Sequence, residues 1–269
     1  MVRKILFGTI AVVIIAYIAL VGLLYVNQRA LFYAQDGRIY EISETALERA
    51  RLVSIPTGEG DALGGWYSPP QDTMATIVYY RGNAGSVTAE YPRLEAFAAE
   101  GYGFLAVDYR GFPLSPGEIS EQSILEDALA AYDWAAEQGG PLLIWGRSLG
   151  ASPAIHVASQ RQSAALLLET PFYSAVSVAQ ERYPFVPVSL LMLDQFRSHE
   201  WIADVEEPVF VAHGTADKVV SVANGERLFS EVPNPYDLWI VEGAGHADLW
   251  AAGIWARAQE FFGSALEGT

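Results

Sequence analysis

The chain has 269 residues, 51% of them hydrophobic and 18% charged, which suits one large folded domain and excludes a disordered chain. Sixteen Lys and Arg stand against 32 Asp and Glu, a balance that repels phosphate backbones and argues against a nucleic-acid partner. The absence of cysteine excludes a Cys nucleophile, a Cys zinc site, disulfides and a lipidated N-terminal Cys, and leaves the redox compartment open.

Ile5 to Val26 is a run of 22 residues with no charge and no proline, long enough to cross a hydrocarbon core of roughly 30 Å as a helix. Arg3 and Lys4 precede it, and Tyr17 and Tyr25 suit an interfacial position. The first reading is a single transmembrane anchor over residues 1–27. A cleavable signal peptide ranks second, because the run is long and ends in Asn27, Gln28 and Arg29 rather than a small-x-small site. A buried core helix ranks third, because every face is apolar. Arg3, Lys4 and the amino terminus favour a catalytic body on the non-cytoplasmic side, while Arg29 and Arg38 weaken that orientation. The first 26 residues hold two basic residues and no acid, so the remainder carries 14 basic against 32 acidic residues, a net charge of −18.

Asn27 to Leu47 reads as a juxtamembrane linker, and residues 28–269 as one domain. Arg51–Pro56 and Leu63–Ser68 read as an opening antiparallel pair. Buried-type strands follow at Thr76–Tyr80, Gly103–Asp108, Pro141–Trp145, Ala165–Glu169, Pro208–Ala212 and Tyr236–Val241. Helical patterns lie between them at about 86–100 and 120–138, with a last helix reaching about Leu266. Strands alternating with helices predict an α/β fold with a mostly parallel sheet covered on both faces. The aromatic, Pro-punctuated segment at about 172–203 predicts a small cap above the carboxyl ends of the strands. Its Phe172, Tyr173, Tyr183, Phe185, Leu190, Leu191, Met192 and Phe196 either line an apolar acyl pocket or pack the cap onto the sheet.

Gly146-Arg147-Ser148-Leu149-Gly150 matches G-x-S-x-G between a predicted strand and a predicted helix. The string alone is weak. The strand and helix around it give it force, since a tight turn lifts the Ser hydroxyl out of the sheet and the helix start leaves the Leu149 N–H free for an oxyanion. Of the four histidines, His156 falls within the following helix and reads as packing, His199 reads as solvated, and His213 at a strand end reads as orienting a loop. His246 sits in a Gly-rich turn after the last strand. Asp217 lies in a loop one strand earlier, which completes the order Ser, Asp, His; the plain alternative is a helix-capping Asp. Glu169, at the end of the preceding strand, is a rival acid, and Asp248 points away. In Tyr80-Arg81-Gly82-Asn83-Ala84-Gly85-Ser86 the glycines let backbone N–H groups turn inward, and that of Asn83 is the best second oxyanion donor.

At these residues the chain resembles the α/β-hydrolase superfamily, and more narrowly its small membrane-anchored serine-aminopeptidase-like and dienelactone-hydrolase-like members. NQRALFY after the anchor, RGNAG, Asp108-Tyr109-Arg110-Gly111-Phe112, GRSLG, HGTAD and GAGH match family blocks in order from about Gln28 onward. The resemblance implies the α/β-hydrolase fold, Ser148 as nucleophile, Asp217 as acid, His246 as base, and Asn83 and Leu149 as oxyanion donors, with no metal or organic cofactor. It implies a small-molecule or lipid-like acyl substrate, an ester or thioester, with a peptidase possible by kinship. An acyl-protein thioesterase or lipase and a non-catalytic, membrane-tethered binding protein are the competing readings. Asp108 and Arg110 are structural in relatives. The family usually has His at position 81, commonly Gly near Pro113, and often Gly in place of Ala151, so the oxyanion loop of this chain is expected to be held differently.

Overall fold

The computed structural model describes residues 2–58 and 60–267. A helix α1 (Val2–Phe32) is followed by β1 (Arg51–Pro56), β2 (Ala62–Ser68), β3 (Thr76–Tyr80), α2 (Tyr91–Ala99), β4 (Gly103–Val107), α3 (Glu121–Glu137) and β5 (Leu142–Arg147). Then come α4 (Ala151–Ala158), β6 (Ala165–Glu169), α5 (Ala175–Arg182), α6 (Val188–Leu191), α7 (Ser198–Trp201), β7 (Val209–Gly214), α8 (Val222–Phe229), β8 (Pro235–Val241) and α9 (Ile254–Glu267). The strands form one sheet in the order β1-β2-β4-β3-β5-β6-β7-β8. β1 and β2 are antiparallel to their neighbours and the rest are parallel.

Every residue of β3, β4, β6 and β7 is buried, which is why these strands read as unbroken apolar runs. Side chains still alternate between two cores. Val78, Tyr80, Leu105, Ile144, Leu166 and Val211 face one, packed with Ile124 and Ala128 of α3 and Ile155 of α4. Ile77, Tyr79, Phe104, Trp145, Leu167 and Phe210 face the other, packed with Phe97 of α2 and Phe261 and Phe262 of α9. A two-residue period in buried strands thus divides one apolar sequence between two helix layers. Ser120 caps α3 reciprocally with Ser123 (3.0 Å), and Ser174 caps α5 in the same way.

Two expectations need correction. Residues 27–47 are not a free linker. α1 continues to Phe32, Tyr33 and Leu47 are buried, Ala34 bridges to Ala84, and the Tyr40 N–H donates to Thr88 Oγ1 at 3.0 Å. The polar side chains that suggest a linker bond to the cap: Arg29 pairs with Asp194 at 2.9 Å. His199 is not simply solvated either. It is half-buried, stacks on Tyr173 with centroids 4.3 Å apart, and its Nδ1 lies 3.1 Å from the Tyr173 carbonyl oxygen. His156 packs edge-on against Trp201 at 4.7 Å.

Candidate active site

β5 ends at Arg147, and the chain turns through a single 3₁₀ turn, Ser148–Gly150, into α4. Ser148 has φ +51°, a left-handed conformation that a non-glycine residue holds only under constraint. Glycines permit the turn: a Cβ at Gly150 would overlap the carbonyl oxygens of Tyr80 and Arg81, and one at Gly146 would meet Ala151 Cα at 2.7 Å. The strained turn presents the half-buried Ser148 hydroxyl to a cavity of about 280 Å³ at the carboxyl ends of the strands.

His246 comes from the turn after β8, where Ala244 N–H donates to the Val241 carbonyl. Its Nε2 lies 2.8 Å from Ser148 Oγ, and its Nδ1 lies 2.7 Å from Asp217 Oδ2. With the Nδ1–H donating to the carboxylate, Nε2 is left to accept the serine proton. Asp217 is fixed from the other side as well, since Oδ1 accepts from Val219 N–H at 2.8 Å and Val220 N–H at 2.9 Å. Burial alone would raise its carboxyl, but hydrogen bonds from His213, His246 and the Val220 N–H hold it well below the usual carboxylate range.

Glu169 is occupied elsewhere. Both its oxygens accept from Arg93 at 2.8 Å, and Trp145 Nε1 donates to it at 3.2 Å. Burial would push its carboxyl up, yet the charges of Arg93 and Arg147 leave it lowered. It anchors α2 to the sheet rather than orienting His246. Asp248 accepts from the Gly245 N–H at 2.7 Å and so shapes the histidine turn.

Asn83 and Leu149 both border the cavity, together with Phe32, Gly82, Phe172 and Val178. Arg81, where the resemblance led one to expect His, lies under the loop with no exposure. Its guanidinium donates to the carbonyls of Ala84 and Gly85 and sits 4.5 Å over the Phe112 ring. Asp108 faces it at 3.4 Å and binds the Ser86 hydroxyl at 2.9 Å and the Val87 N–H at 2.6 Å. Arg110 forms an ion pair with Asp127 at 2.7 Å. Asp108 and Arg110 therefore brace loops outside the reacting atoms.

Sequence reasoning read His213 as orienting a loop, which its contact with the Val220 carbonyl bears out, but missed its contact with Asp217 and missed Arg147, Phe32 and Ala34 at the cavity. His213 Nε2 lies 3.3 Å from Asp217 Oδ2 and 3.0 Å from the Val220 carbonyl oxygen; the i,i+4 spacing was its signal. Arg147, inside the G-x-S-x-G string, pairs with Glu90 at 2.9 Å beside the cavity. Phe32 and Ala34 form part of the cavity wall, and NQRALFY, which holds Phe32 and ends just before Ala34, was the visible sign of them. Of the apolar cap residues, Phe172 borders the cavity, Phe196 is buried in the core, and Phe185 and Leu190 are exposed.

No family model matches the chain. The uncharacterized protein Rv2307c of Mycobacterium tuberculosis is 34% identical over 249 residues, 88% of this chain and 89% of that protein. Alpha/beta hydrolase domain-containing protein 17C of Xenopus tropicalis is 28% identical over 224 residues, 78% of this chain and 68% of that protein. Among solved structures, the Pyrococcus furiosus esterase Pf2001 superposes with a TM-score of 0.70 at 20% identity, covering 87% of this chain and 97% of that one. The chain belongs to the same family as Rv2307c and has the α/β-hydrolase fold. In this fold a serine turn follows a central parallel strand, with an acid and a histidine after later strands; Ser148, Asp217 and His246 follow β5, β7 and β8.

Proposed function

We propose that this α/β-hydrolase is a serine hydrolase that cleaves a carboxylic ester or thioester through an acyl-enzyme on Ser148. The observation that carries the reading is the unbroken relay of 2.8 Å from Ser148 Oγ to His246 and 2.7 Å from His246 to Asp217. Ser148 Oγ attacks the carbonyl carbon while His246 Nε2 takes the hydroxyl proton, and Asp217 stabilises the imidazolium. The N–H groups of Asn83 and Leu149 receive the negative charge on the carbonyl oxygen. His246 returns the proton to the leaving alcohol or thiol. Water, deprotonated by the same imidazole, then releases the acid and restores Ser148. The route uses no metal or organic cofactor.

We further infer that residues 5–26 anchor the protein in a membrane, with the hydrolase domain on the non-cytoplasmic side. Among the described residues α1 is the one helix long and apolar enough to cross a bilayer. Because Phe32, the last residue of that helix, and Ala34 just beyond it line the cavity, a lipid-like acyl substrate is favoured within the ester and thioester class, which includes acyl chains already inserted in the membrane.

The test is an acyl-chain-length series of esters and thioesters assayed with the full chain in detergent micelles. Hydrolysis abolished by Ser148→Ala is expected. A folded protein that turns over no member of the series would favour a membrane-tethered binding protein instead.

A further inference from the structure

The tip of the cap, between α5 and Asp194, has a composition unlike the rest of the surface. Residues 183–193 read YPFVPVSLLML, eleven positions without a charge on a body that carries 32 acidic residues. Phe185 is 60% exposed, Leu190 82% and Leu193 52%. Apolar side chains this exposed and this close together mark a contact surface.

Its position identifies what it contacts. The Tyr17 hydroxyl, in the middle of the apolar run of α1, donates to the Phe185 carbonyl at 2.8 Å. Gln28 donates to the Leu191 carbonyl at 3.3 Å and accepts from the Leu193 N–H at 2.8 Å, and Arg29 binds Asp194 through two bonds of 2.9 and 3.1 Å. The tip therefore lies alongside α1 back to Tyr17, about 14 Å along the helix from Val26.

We propose that the cap tip, residues 184–193, is a second membrane-contacting element that enters the acyl zone of the leaflet holding the C-terminal half of α1, with Phe185 level with Tyr17. This rests on the reading of α1 as a membrane anchor. Non-helical backbone near hydrocarbon must have its polar groups satisfied within the protein. In the tip, Val186, Val188, Leu190 and Met192 donate their N–H groups internally, and Pro184 and Pro187 have none to donate. α1 supplies partners for the Phe185 and Leu191 carbonyls and the Leu193 N–H. The reverse holds too: Tyr17 lies mid-span rather than at the interface its residue type suggested, and its hydroxyl has its acceptor in the cap.

Because the chain has no cysteine, single introduced cysteines report position cleanly. Leu190→Cys, Val13→Cys in α1 and Glu137→Cys at the far end of α3 are each labelled with an environment-sensitive fluorophore. The full chain is then reconstituted in phosphatidylcholine vesicles with or without spin-labelled acyl chains. The expected result is quenching at Leu190→Cys within about twofold of that at Val13→Cys, as suits an element seated among the acyl chains, with none at Glu137→Cys. Quenching at Val13→Cys alone overturns the cap contact and leaves the anchor standing. No quenching at Val13→Cys overturns the anchor and the cap contact together.

Discussion

The side-chain amide of Asn83 donates to the carbonyl oxygen of Phe32, the last residue of α1. The same amide accepts from the Ala34 N–H at 3.2 Å, and Gly85 N–H donates to the Ala34 carbonyl at 2.9 Å. The loop beside Ser148 is thus fastened from outside by the end of the N-terminal helix and from beneath by Arg81. Carbonyls at a helix end have no partner in the helix, so the tie satisfies the helix and fixes the loop at once.

Removing the tie should disturb the reaction more than binding. Asn83→Ala keeps the backbone N–H proposed as oxyanion donor but frees its position, and a displacement on the order of 1 Å costs roughly 10²-fold in rate. Steady-state kinetics on the best ester should show kcat lowered by about tenfold to a hundredfold with KM little changed. A rise in KM at constant kcat would point to substrate binding instead.

Asp217 and Glu169 make opposite predictions on substitution. Asp217→Asn removes the acceptor that selects the His246 tautomer and should lower kcat by roughly 10⁴-fold. Glu169→Gln should leave the relay intact and destabilise the fold by about 3 kcal/mol, because Arg93 and Arg147 lose their buried counter-charge. Chemical denaturation with parallel kinetics separates the two. Loss of catalysis from Glu169→Gln in a normally stable protein would reverse the assignment of the acid.

The lowered carboxyl of Asp217 also sets a pH dependence. Its stabilising contribution is complete above the unfolded carboxylate value of about 4 and is lost as pH falls through the depressed folded value. Denaturant midpoints should fall below about pH 4 in the native chain and fall less steeply in Asp217→Asn. Equal slopes for the two proteins would show that the carboxylate is not held as described.

Ser148 at φ +51° holds a left-handed backbone conformation. Left-handed backbone costs an L-residue roughly 1–2 kcal/mol, and glycine recovers this less about 0.5–1 kcal/mol of added chain entropy. Ser148→Gly should therefore be inactive yet at least as stable as the native chain by denaturant titration. Gly150→Ala should do the reverse, losing about 3 kcal/mol or more, because its methyl group would overlap two backbone oxygens.

Much of this architecture is legible in the residues. Thr76–Tyr80 and Ala165–Glu169 are strands with the bounds read from their apolar runs, because strands buried on both faces announce themselves by composition. The relay residues are legible for another reason: Ser148, Asp217 and His246 each sit in a short Gly-containing string after a strand. The helix read over 86–100 divides into a 3₁₀ turn, Val87–Glu90, and α2, where Pro92 suits a helix start. What the sequence conceals is pairing at a distance. Gln28 and Arg29 look like a solvated linker because their partners, Leu191, Leu193 and Asp194, lie more than 160 positions away. Arg81 looks like a departure from the family, and only its burial against Ala84, Gly85 and Phe112 explains how the loop is held.

Reaction of the intact full-length protein with a fluorophosphonate probe, read by mass spectrometry of the labelled peptide, bears most directly on the catalytic claim. The relay predicts one stoichiometric adduct on Ser148, absent from Ser148→Ala and much slower to form in Asp217→Asn. A folded protein that stays unlabelled, or labelling that persists unchanged in Ser148→Ala, would contradict it.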